Sequence, residues 1–294
     1  MSSVIAVSDK AVDSGLYRRR SLYSLLGWAI CAVFFALLAI GLLDIILMVV
    51  AHGGGSLSWK LLSEPGNGVV GGLLNAIEGT VVLTFGSLII ATPIGVGGGI
   101  YVAEYSASWF ARTVRYLADV LVGVPSIVLG LFGYIVFVTY LGWQFSVLAG
   151  CITLAMLITP YILRTTELAF RGVAPELREA AYALGASHAT VTLRIMLRAC
   201  GSRVLTGILL AMAISMGETA PLIYTVNYSN YMWSGKLTHE PIAYLTYLIW
   251  SSNNVPQESA HQLAFSAALL ITIFVLLVTV AARVSLHLFS SKQH

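Results

Sequence analysis

The sequence predicts an all-α integral membrane protein with six transmembrane helices and one charged cytoplasmic loop that presents two short helices. Three observations carry this prediction. The 294 residues are 58% apolar and only 10% charged, with a mean hydropathy of +0.86, too few polar groups to cover a soluble globule. Six apolar runs, residues 22–50, 76–102, 117–141, 145–163, 204–226 and 262–286, approach or exceed the roughly 20 helical residues needed to cross a bilayer core. Lys and Arg are distributed one-sidedly: 14 of the 16 fall in alternate connections and the two tails.

The first run follows Arg18, Arg19 and Arg20 and is about twice the length of a signal-peptide core, with no small-residue cleavage site after it, so a retained anchor is expected. By the positive-inside rule the 14 basic residues are cytoplasmic, with only Lys60 and Lys236 outside. Both termini then lie inside, as an even number of spans requires. The expected organisation is a cytoplasmic tail at 1–21, a membrane domain at 22–286 with a cytoplasmic loop at 164–203, and a tail at 287–294. The glycine-rich run Gly95 to Ile100 reads as close helix packing, and Gly66 to Gly72 as an external loop.

No cofactor or metal is expected. Cys31, Cys151 and Cys200 lie in or beside different spans, and the six histidines show no zinc-ligand spacing. A phosphate-cradling Walker loop needs Gly-Lys-[Ser/Thr], and the one Gly-Lys pair, Gly235-Lys236, is followed by Leu237. If ATP drives this protein, another chain binds it. Nucleic acid is not an expected partner.

The charged loop contains PELREAAYALGASHATVTLRIMLRACGSR, residues 175–203. Pro175 suits a first helical position, Glu176 and Glu179 complement the positive helix start, and Gly185 offers a left-handed C-cap. Leu177, Ala180, Ala181 and Leu184 form one apolar stripe. Ser187 offers an N-cap for a second short helix through Leu197, with Arg194 and Arg198 at its favourable end.

The fifth run holds Glu218, about 21 Å along a helix from Val204 and so within hydrocarbon depth. A carboxylate there faces a water-filled cavity or a partner and is a candidate functional group. Pro221 removes a helical hydrogen bond close by, where Thr219 and Tyr224 offer hydroxyls. Pro125 with Ser126 interrupts the third run in the same way, and Pro93 and Pro160 the second and fourth; these are either packing kinks or elements of a gate. Asp44, Glu78 and Asp119 lie nearer span ends and are expected to reach the interface. An ion-coupled secondary transporter would also show buried carboxylates and broken helices, but neither internal repeats nor further spans are visible.

Glu179-Ala180-Ala181, Gly185 and Ile195-x-Leu197, at their spacing, resemble the EAA loop of bacterial ABC importer permeases. Arg198 stands where the family pattern has proline. The runs GLLNAIEGT, ATPIGVGGGIYVAEY, VPSIVLGLFGY, LRTTE, LREAAYALGAS and GETAPLIYT follow one another as in the PstA-type permeases of phosphate importers, from about Gly72 to the end of the sixth span. That resemblance implies the type I ABC importer permease (MetI-like) fold and import of inorganic phosphate by alternating access. It implies a second, PstC-type permease subunit, two copies of an ATPase, an external phosphate-binding protein and a place in the bacterial inner membrane. The chain itself would be no enzyme. Glu179, Ala180, Ala181, Gly185, Ile195 and Leu197 would then couple to the ATPase, and Glu218, Thr219, Pro221, Pro125 and Ser126 would line the pathway. An arginine usually precedes the glutamate of the last motif by four residues; here that position is Ile214. Either a partner supplies the positive charge, or Glu218 is protonated, or its role is structural. Molybdate and sulfate permeases share the EAA loop and are the alternative substrate classes.

Overall fold

The computed structural model describes residues 14–67 and 70–290. Residues 1–13 and 291–294 of the two expected tails lie outside the described residues, and with them Lys10, Lys292 and His294. The chain divides into two units, Met1–Ala51 and His52–His294. In the first unit the described chain is helix α1 (Ser14–Gly54, its last turn in the second unit), whose most apolar window is wholly unburied and apolar all round, the mark of a helix solvated by lipid.

In the second unit, α2 (Trp59–Ser63) and a two-residue ribbon, β1 (Gly66–Asn67) paired antiparallel to β2 (Val70–Gly71), lead into α3 (Leu74–Glu104). There follow α4 (Trp109–Gly123), α5 (Ser126–Gly133, continued by π-helical turns at Tyr134–Tyr140), α6 (Val147–Arg171), α7 (Pro175–Ala183), α8 (His188–Thr190), α9 (Leu197–Gly217), α10 (Ala220–Thr225), α11 (Leu245–Asn253) and α12 (Glu258–Ser290). Among the described residues five helices are long and apolar enough to cross a membrane, and the α4–α5 pair makes a sixth if taken as one broken span. The protein is therefore an all-α integral membrane protein.

α6 is the central span: 61% of its apolar window is buried, against 33% for α3. It packs against α3 along a seam of small residues in which both chains run the same way. A methyl group at Gly95 would sit 2.7 Å from Cβ of Ile162, and one at Gly99 would sit 2.6 Å from both the Leu163 carbonyl oxygen and Cβ of Thr166. Without water to expel between helices, such close backbone approach is the main source of helix association in lipid. The packing role expected of this glycine run is thus borne out at Gly95 and Gly99. Gly97 faces open space.

The fourth span runs on eight residues past its expected end, to Arg171, and two expected spans are broken. The third, 117–141, is broken: Val124 and Pro125 are extended and the axes of Trp109–Gly123 and Ser126–Tyr140 meet at 102°. The residue before a proline is forced out of the helical region. Upstream of the break, α4 is N-capped by Ser108 and buries only Ala111 and Ala118, one narrow stripe. The fifth span begins earlier than 204 and ends earlier than 226. It is one helix from His188 to Gly217, broken at Glu218 and resumed as α10. Pro93 and Pro160 stay inside unbroken helices.

At the end of the bundle away from the arginines, α11 and the segment before it cover the start of α3. Thr80 Oγ1 accepts the Leu245 backbone N–H at 2.9 Å, and Leu73, Ala76, Ala243 and Leu245 share one core cluster. In this segment Glu240 accepts the hydroxyl and the backbone N–H of Ser234. Both bonds hold its carboxyl below the ordinary value of 4.5, the hydroxyl foremost.

Two outcomes are expected. Gly99→Val should lower the melting midpoint of the detergent-solubilised protein, consistent with an overpacking cost of about 1–3 kcal/mol, whereas Gly97→Ala should leave it unchanged or raise it slightly. Because Glu240 has a lowered folded value, its tie to Ser234 is complete above the ordinary carboxylate pKa and disappears as pH falls through the folded one. Hydrogen exchange at the Ser234 amide should therefore accelerate, relative to neighbouring amides, only at acid pH, and Glu240→Gln should largely abolish that step.

Candidate functional site: a hinge at the arginine-rich end and two facing helix breaks

α7 begins with Pro175 at its first turn and Glu176 beside it, as the dipole favours. Its end is closed by two reversed bonds, Gly185 N–H to Tyr182 at 2.9 Å and Ala186 N–H to Ala181 at 3.1 Å, with Gly185 at φ +76°. This is the glycine C-cap expected there. The space around Gly185 is open, so backbone conformation, and not crowding, selects glycine.

Ser187 accepts the Thr190 N–H at 3.4 Å, as an N-cap should. The helix it starts does not stop at Leu197. It passes through π-helical turns at Val191–Met196 into α9 and ends only at Gly217. Arg198, unlike proline, keeps the backbone N–H that continuation needs. The stretch is therefore one short helix, α7, joined through the turn at Gly185 to the foot of a membrane-spanning helix.

The side chains predicted for coupling divide between two surfaces. Glu179, Ala180 and Gly185 are exposed, whereas Ala181 is buried and Ile195 and Leu197 are half-buried against the same cluster, which holds Phe170, Val191 and Met196. The apolar stripe splits accordingly: Ala181 faces the bundle, while Leu177 and Leu184 face away, Leu184 being 88% exposed. Leu193, also exposed, joins Arg194, Leu197 and Arg198 in lining a shallow cleft of about 580 Å³.

Two buried carboxylates organise this end, and neither was singled out from the sequence. Glu167 on α6 has no exposed side-chain surface. It receives Arg115 of α4 at 2.8 Å, Arg164 at 2.8 Å and Arg171 at 2.9 Å. Glu104, the last residue of α3 and 2% exposed, takes a two-pronged bond from Arg178 of α7, at 2.7 and 3.0 Å, with His188 Nε2 at 3.6 Å. Arg203 donates to the Gly172 carbonyl at 3.0 Å. The i,i+3 and i,i+4 spacing of Arg164 and Arg171 around Glu167 was a readable signal.

The five residues predicted for a pathway come together. Glu218 is half-buried and extended, φ −75° and ψ 134°, and its carbonyl accepts from Thr246 Oγ1 at 2.9 Å. Its carboxylate is hydrogen-bonded by Ser126, which follows Pro125 at the other break. α5 and α10 touch backbone to backbone: a methyl at Gly130 would lie 2.6 Å from Cα of Pro221, and one at Gly133 would lie 2.8 Å from Thr225 Cγ2. Thr219 caps α10. Among the described residues Glu218 makes no ion pair. Ile214, one turn earlier, packs with Leu88, Ile158 and Ala211, so that turn is apolar.

Removing the Glu167 charge leaves three guanidiniums facing one another. Breaking a fully buried pair costs about 3–5 kcal/mol, but Arg164 and Arg171 are nearly half exposed and water recovers some of it, so Glu167→Gln should cost about 1–3 kcal/mol. The melting midpoint in detergent should fall by several degrees, and added salt should narrow the gap to the parent protein.

Residues 95–293 match the family described as "Binding-protein-dependent transport system inner membrane component". The chain is 39% identical over 265 residues to the phosphate transport system permease protein PstA 2 of Mycobacterium tuberculosis (strain CDC 1551 / Oshkosh), spanning 90% of this chain and 88% of that protein. It is 43% identical over 257 residues to PstA of Yersinia pestis, spanning 86% and 85%. Among solved structures, the inward-facing MetNI methionine ABC transporter superimposes with a TM-score of 0.62 at 17% identity, over 72% of this chain and 94% of that one. A bacterial ABC transporter involved in import of the acidic polysaccharide alginate does so with 0.55 at 13%, over 95% and 98%. At those identities the likeness is of fold. The chain belongs to the binding-protein-dependent transport system inner membrane components, in the PstA branch of that family.

Proposed function

We propose that this chain is the permease subunit of an ATP-driven importer for inorganic phosphate, forming half of the translocation pathway in the bacterial inner membrane. The observation that carries the reading is the identity of 39% to 43%, over most of both chains, to proteins named phosphate transport system permease protein PstA. As a family member it works with an ATPase and a binding protein, and is a transport subunit, not an enzyme. The finer assembly is one PstC-type permease partner, two ATPase copies and an external phosphate-binding protein, with both termini and the arginine-rich end in the cytoplasm.

In this reading the outward face of α7, with Glu179, Ala180 and Leu184, docks into the ATPase, and Gly185 sets its angle. Ala181, Ile195 and Leu197 seat the stretch on the bundle. The two helix breaks give the pathway its polar atoms: a helix interrupted within lipid frees backbone groups that must be satisfied, and it does so where it is buried in protein or lines a water-filled cavity. Ser126, Glu218 and Thr219 lie at those breaks. Glu218 would hold the pathway's shape or a proton; the cations that attract phosphate would come from the partner permease.

The test is uptake of labelled phosphate by the reconstituted complex, against sulfate and molybdate; preference for either competitor would overturn the substrate assignment. This chain alone with ATP should accumulate nothing. Gly185→Val places a β-branched side chain at positive φ, at a cost of about 1–2 kcal/mol. Since the site faces open space, membrane level should stay normal while bound ATPase or phosphate uptake is lost. Full uptake with normal ATPase content would show that α7 does not dock.

A further inference from the structure

We infer that Glu104 is the positioning residue through which motion of α7 reaches the bundle, a reading that rests on α7 being the ATPase dock. α7 buries a single side chain, Ala181, too little to fix a nine-residue helix. What holds it is the two-pronged bond from Arg178 to Glu104. Arg178 and Ala181, three residues apart, share the inward face, leaving Glu179 and Ala180 outward. The same carboxylate is approached by His188, the first residue of the helix that runs on to Gly217. Glu104 therefore ties together the segments on both sides of the Gly185 hinge, and it does so from the end of α3, whose Gly95 and Gly99 are locked against α6.

The physics of the tie is that of a charge removed from water. A carboxylate 2% exposed that loses its guanidinium is left as an uncompensated buried charge, which is costly. Displacement of α7 is thus cheaper if α3 and the foot of the long helix follow than if the bond breaks. A flexible apolar contact would let α7 slip; this one transmits. The groups facing the tie are Arg178 from α7, His188 from α8 and the Tyr105 ring, whose centroid is 5.9 Å from that of His188. Arg115 from α4 reaches the nearby Val102 carbonyl at 3.5 Å.

Two variants in the reconstituted complex test this, reading labelled phosphate imported, ATP hydrolysed and ATPase retained. Glu104→Gln keeps the shape and drops the charge. It should retain ATPase at the parent level while ATP hydrolysed per phosphate imported rises about tenfold or more. Arg178→Gln removes the guanidinium side of the same tie and should raise that ratio likewise. The parent complex is the reference. An unchanged ratio in Glu104→Gln, or in Arg178→Gln should the first variant fail to accumulate, overturns the inference, as does lost ATPase binding, which would make the contact an element of the dock. Full uptake in Gly185→Val would instead sink the docking reading itself, so the two failures are distinguishable.

Discussion

α3 and α6 approach so closely that a single methyl group at Gly95 or Gly99 has no room, and this contact fixes where the neighbouring helices can lie. In lipid there is no hydrophobic drive between apolar helices, so the bundle is specified by where backbones can meet. The seam recurs on the other faces of α6. Gly207 of α9 is closed by Thr165, Gly133 of α5 by Thr153, and Gly150 by Val226 and Leu83. Small residues thus make the closest contacts, beside buried Leu154, Ile158 and Phe170, while other large side chains such as Phe85, Ile89 and Leu276 are turned outward to the lipid.

That arrangement leaves the polar groups at two levels. At the arginine-rich end, Glu104 and Glu167 are each withdrawn from water and surrounded by cations carried on other turns or other helices. Within the bundle, Ser126, Glu218 and Thr219 sit where two helices end and restart. The first set makes the end of the bundle stiff. The second makes its middle adaptable, because backbone groups at a break can change partners without melting a helix.

The lengths of the apolar runs made the long helices legible, and α3 and α12 begin and end within a few residues of expectation. α4 was merged into the third span because its amphipathic stripe, two alanines seven residues apart, is a faint signal beside the apolar run that follows. The continuous helix through Arg198 was divided because Ser187, Arg194 and Arg198 have the local chemistry of a short helix, and only the bundle rewards continuing it. Among the site residues, the meeting of Ser126 with Glu218 and of Gly130 with Pro221 joins motifs some ninety residues apart in sequence. Proline and a buried carboxylate flagged each one, but pairing them required the fold. Glu104 and Arg178, 74 residues apart, left no local trace. Ile195 and Leu197 were legible as members of a motif, yet half-buried packing, not exposure, is what they supply.

The helix from His188 to Gly217 is also a lever. Thirty residues at about 1.5 Å each give an arm of about 45 Å, with the hinge at Gly185 beside one end and Glu218 just past the other. With its pivot at Gly207, ten residues from Gly217, a tilt of about 5° moves that end by about 1.3 Å, enough to lengthen a hydrogen bond out of its range. Its fulcrum is Gly207, pressed against Thr165 of α6, where the rod cannot translate sideways but can rock. A small angular change at one end of the molecule is thereby carried to the break in the middle as a change of bonding, with no helix having to bend.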